Sequence, residues 1–83
     1  MERIWICNLP MKKGQWDNDY HFYDNGSIMH FFDISVKKYN IEEKIEPTDI
    51  PELDKAAIIE RINECPKEWQ EFVLNVLKKQ RQR

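Results

Sequence analysis

The chain has 83 residues, of which 41% are apolar and 34% charged, with a formal net charge of −2. That balance excludes a disordered chain and a globally basic nucleic-acid binder, and the length allows one hydrophobic core but not two. No apolar run reaches the roughly 20 residues of a membrane span, and the start MERIWICNLP lacks signal-peptide character, so no membrane partner is expected. The two cysteines, Cys7 and Cys65, form no CxxC pair or disulfide framework. That usage points to a reducing compartment, most simply the cytoplasm.

A single domain is expected over residues 1–83, β-rich over 1–46 and helical over 47–83. Residues 3–9 (RIWICNL) are β-branched and aromatic and read as a strand. Ile4 and Ile6 on one face, and Trp5, Cys7 and Leu9 on the other, are all apolar, which places the strand inside the sheet. Residues 10–18 (PMKKGQWDN) read as a loop around Trp16. A hairpin follows, with arms over residues 20–23 and 27–36.

The hairpin DYHFYDNGSIMHFFD carries one histidine on each arm, and its register decides whether His21 and His30 meet. A two-residue turn at Asn25-Gly26 sets the histidines opposite each other. A three-residue loop of Asp24, Asn25 and Gly26, with Gly26 left-handed, pairs Tyr23 with Ser27 and sends the histidines to opposite faces. A one-residue slip moves every side chain to the other face, so the apolar pattern discriminates. The three-residue register gathers Tyr20, Phe22, Ile28, Phe32, Ile34 and Val36 on one face with only His30 among them. Asp19, His21, Tyr23, Ser27, Met29, Phe31 and Asp33 take the other face. This is the cleaner separation for a half-buried antiparallel sheet, and it is favoured.

Residues 37–46 are ambiguous, with Tyr39, Ile41, Glu43 and Ile45 on the alternate positions of an edge strand. In DIPE, Asp49 as N-cap with Glu52 at N3 predicts a capping box and a helix running to about residue 64, with Leu53, Ala57, Ile58 and Ile62 along one face. Cys65-Pro66 interrupts it, since a residue before proline disfavours the helical region. A second helix beginning at Pro66 carries Trp69, Phe72, Val73, Val76 and Leu77 at i, i+3, i+4, i+7 and i+8, one apolar stripe. The expected class is α+β: a small antiparallel sheet of three to four strands, the N-terminal strand plus the hairpin, packed against a C-terminal helical hairpin.

The candidate chemistry is thin. A metal site on His21 and His30 needs the disfavoured register and further ligands, so no metal or cofactor is expected. Cys65, read as the N-cap of the second helix, would have a lowered pKa there, but a small buried residue at a tight joint is the simpler account. The tail KKQRQR carries +4, which complements the carbonyl end of a helix and is also the basis of a rival nucleic-acid reading. The second sheet face stands out: His21, Tyr23, Met29 and Phe31, with Trp16 in the preceding loop, are more apolar than solvent exposure requires. These are residue types enriched at protein interfaces. The expected function is therefore an interaction or accessory module without catalytic activity, whose partner is another protein or a second copy of itself as a homodimer. The alternatives are nucleic-acid binding through the tail, and a small metal- or thiol-dependent enzyme using His21, His30 or Cys65.

Overall fold

The computed structural model describes residues 2–9, 18–33 and 41–78. Among them are four strands, β1 (Arg3–Asn8), β2 (Asn18–Tyr23), β3 (Ile28–Phe32) and β4 (Ile41–Ile45), followed by two helices, α1 (Glu52–Glu60) and α2 (Lys67–Leu77). The strands form one antiparallel sheet in the order β1-β2-β3-β4. The molecule is an α+β fold with both helices contributing to the core on one sheet face.

The β2–β3 hairpin adopts the three-residue loop. Tyr20 pairs with His30, His21 with Met29 and Phe22 with Ile28. The Tyr23 N–H donates to the Ser27 carbonyl at 3.1 Å, and the Gly26 N–H to the Tyr23 carbonyl at 3.0 Å. Gly26 has φ +87°, the left-handed conformation such a loop demands of its last residue. The Asn25 side-chain oxygen accepts from the Ser27 N–H at 3.0 Å, closing the turn locally.

Strand β1 lies at the edge of the sheet rather than inside it, correcting the expectation drawn from its two apolar faces. Two features explain those faces. A bulge between Arg3 and Trp5 breaks the alternation and lets Ile4 pack partly against the core, while Trp5, Cys7 and Leu9 are buried in it. Ile6 belongs to the outer face and remains 42% exposed. Strand β4 is the other edge, pairing Ile28 with Ile45, His30 with Glu43 and Phe32 with Ile41. Ile34, Val36 and Tyr39, assigned above to flanking strand positions, lie outside the described residues, as does most of the expected loop 10–18.

The first helix starts later than its sequence predicts. Ile50 precedes Pro51 and is extended (φ −76°, ψ 125°), so no helix passes through it. The capping box forms one turn upstream instead: a 3-10 turn at Pro47–Asp49 has the Glu46 N–H donating to Asp49 Oδ2 at 3.0 Å. Helix α1 then begins after Pro51 without a side-chain cap and ends at Glu60, and a 3-10 turn (Ile62–Glu64) completes the segment expected to be helical. Leu53 is 86% exposed, while Ile58 is fully buried. Leu53 is five residues before Ile58, about 140° around the helix, whereas Asp54 is four residues before it and shares its face.

Helix α2 keeps its stripe. Val73, Val76 and Leu77 are buried, and Trp69 and Phe72 pack against the core with their rings edge to face at 5.3 Å. The core joins these to Trp5, Cys7, Leu9, Tyr20, Phe22 and Ile28 of the sheet and to Ile50, Ile58 and Cys65.

Candidate functional site

The sheet face opposite the core is organised in cross-strand rows. One row reads Ile6, His21, Met29, Lys44 from β1 to β4, and the next reads Asn8, Asp19, Phe31, Glu42. Tyr23, paired with Arg3, continues the face toward the hairpin turn. His21, Tyr23, Met29 and Phe31 are thus brought together as expected, each partly exposed, and Ile6 joins them. Trp16, the fifth residue assigned to this face, lies outside the described residues. The His21 ring rests against Phe31 with centroids 4.1 Å apart. His21 Nδ1 is buried without a hydrogen-bond partner. Burial and the nearby Arg3 hold its pKa below the ordinary histidine value, with Asp19 opposing. Asp19 in turn accepts a hydrogen bond from the Asn8 amide.

The core-facing side carries a polar cluster that the sequence analysis did not assemble. The Tyr20 hydroxyl, fully buried, donates to Asp54 Oδ2 at 2.6 Å. The buried Asn18 donates its amide to the same oxygen at 3.4 Å, and its Oδ1 lies 2.5 Å from His30 Nε2. These contacts order the donors. Asn18 gives its N–H to a carboxylate, so its oxygen faces His30, and His30 Nε2 must carry the hydrogen. The His30 ring is stacked against Tyr20 at 4.3 Å and Phe32 at 4.5 Å. Burial lowers its pKa, opposed by Asp54, Glu43 and Asp19. The Tyr20 pKa is raised, first by burial and then by its bond to Asp54. The one hint in the sequence was Tyr20 itself, since a tyrosine on a core face needs a partner for its hydroxyl.

The register sets His21 and His30 on opposite faces, so the paired-histidine site is not formed. Among the described residues no three His, Cys, Asp or Glu side chains gather as a metal-holding group. Cys65 is not the N-cap of α2; Pro66 is. Its thiol is buried and its pKa raised by that burial, the reverse of an activated nucleophile, and its carbonyl accepts from Gln70 Nε2 at 3.0 Å. Cys7 is likewise pushed up to about 11, by burial first. Of the tail KKQRQR only Lys78 is described, exposed at the end of α2. No described helix is long and apolar enough to cross a membrane.

Comparison of the chain with protein-family models, with curated proteins and with solved structures gives no match.

Proposed function

We propose that this protein is a non-catalytic interaction module that binds another polypeptide through the outer face of its sheet. The observation carrying this reading is the joining of Ile6, His21, Tyr23, Met29 and Phe31 on the face opposite the helix-packed core. Aromatic and Met side chains in such a patch make anchors, because association energy concentrates in a few large side chains. The titratable groups favour binding over chemistry: both thiols are buried and raised, and His30 spends its Nε2 hydrogen on Asn18. Two free cysteines are in keeping with a reducing compartment such as the cytoplasm.

The test is a photo-crosslinking residue, p-benzoylphenylalanine, placed at position 31 and, as a control, at exposed position 53. Adducts to a second polypeptide from position 31, absent from position 53 and reduced by Tyr23→Ser, are expected. Crosslinks that stay within the chain would show the face covered by the molecule's own residues and would overturn the reading.

A further inference from the structure

The outer face has a charge pattern that selects among ways of covering it. On β4, Lys44 stands in the row of Ile6, His21 and Met29, and Glu42 in the adjacent row of Asn8, Asp19 and Phe31. The first row therefore carries a cation and a histidine, and the second two carboxylates, with apolar side chains on β3 in both. We propose that the occupant of this face is a second copy of the chain, related by a two-fold axis running along the rows, midway between them. This rests on the interaction reading above and names its partner.

An isologous contact must satisfy its own complement, because residue i meets j and j meets i. A two-fold along the rows exchanges them while keeping each strand opposite itself. Lys44 then faces the partner's Glu42 twice over, His21 faces the partner's Asp19, and Met29 faces the partner's Phe31. A thioether against an aromatic ring is a favourable contact, and sheets packed face to face with strands within about 30° keep these central pairs near one another. The other in-plane axis, along the strands, does the opposite. It sets Lys44 over the partner's Ile6 and Asp19 over the partner's Phe31, leaving charges against apolar surface. The charge pattern therefore favours the first arrangement over the second.

Strand spacing and rise make the face about 20 Å on a side, on the order of 400 Å² per subunit. That is the low end for a specific interface, so the dimer is weak and concentration-dependent.

Sedimentation of the full chain from micromolar to millimolar concentration tests this with two surface charge reversals. Both Lys44 and Glu42 are exposed, so neither change threatens the fold. Lys44→Glu alone sets like charges together at both symmetric contacts, as does Glu42→Lys alone, and each should weaken dimerisation at least tenfold. An equimolar mixture of the two variants pairs Glu with Lys at both contacts and should recover association. A wild-type chain that is monomeric throughout overturns the proposal, as do single variants that dimerise like wild type or a mixture that fails to recover. A monomer that still crosslinks from position 31 to a different polypeptide sinks the second copy and leaves the interaction reading standing. A monomer crosslinking only within itself removes both.

Discussion

The hydroxyl of Tyr20 donates to Asp54 Oδ2 at 2.6 Å, so the middle of β2 is tied to the first turn of α1 across 34 residues of chain. This bond gives a half-buried carboxylate its place on the core side and relieves a fully buried hydroxyl. Tyr20→Phe should lower stability by about 1–2 kcal/mol, the usual range for a hydrogen bond to a charged group. Asp54→Ala should cost more, about 2–3 kcal/mol, because it leaves the buried Tyr20 hydroxyl and the Asn18 amide without their acceptor. The double variant should cost clearly less than the sum, since removing the hydroxyl relieves the stranding. Urea denaturation of the four proteins measures the coupling. Strict additivity would mean the contact contributes nothing.

Both histidines have lowered pKa values, and the sign follows directly. Below the unfolded value of 6.5, the unfolded chain takes up protons that folded His21 and His30 resist. Stability should therefore fall as pH drops from 6.5 toward the lower folded-state values, before the carboxylates titrate. Melting temperatures recorded from pH 7.5 to 5.5 should decline, and His21→Phe, which removes an unpartnered buried nitrogen, should flatten part of that decline. A profile flat across this window contradicts the burial of both rings.

Gly26 has room for a side chain but not the backbone for one. A Cβ built there would meet Val76 Cγ2 at 3.9 Å, an ordinary contact, while φ is +87°. Gly26→Ala should therefore destabilise by about 1–2 kcal/mol through backbone strain alone. Gly26→Asn should cost less, because asparagine enters the left-handed region more readily. Equal losses for the two would indicate a steric rather than a conformational cause.

The fully buried side chain of helix α1 is Ile58. Ile58→Ala should cost about 2–4 kcal/mol, as large-to-small changes in a packed core do. Leu53→Gln, five residues earlier on the exposed side, should change stability by no more than about 0.5 kcal/mol. Thermal melts of the two variants compare the helix faces, and a large loss for Leu53→Gln would mean the helix is rotated from the position described.

Several elements were legible because their rules act within a few residues. The DNG loop admits two registers, and the apolar alternation of its flanks favours the one that forms, which separates His21 from His30. The five-residue apolar stripe from Trp69 to Leu77 and the break at Pro66 located α2. The composition of the outer face around His21, Tyr23, Met29 and Phe31 followed from that register alone.

Tertiary structure decided the rest. Alternation over 3–9 could not distinguish an edge strand with a bulge from a central one, since apolar residues on both sides suit either. The capping box is an exception with a local cause: it lies at Glu46–Asp49 rather than Asp49–Glu52 because Pro51 holds Ile50 extended, a signal that overlaps the expected cap within a few residues. The rotation of α1 was beyond its own sequence: in a helix of 9 residues, apolar spacing admits both a Leu53 face and an Asp54 face. The choice of Asp54 accompanies contact with a tyrosine and an asparagine on a strand more than thirty residues away. Local sequence determined which segments fold and which side chains share a strand face. Packing between distant segments determined which helix face turns inward, and so created the polar cluster of Asn18, Tyr20, His30 and Asp54, because burying a hydroxyl requires an acceptor that only the assembled chain supplies.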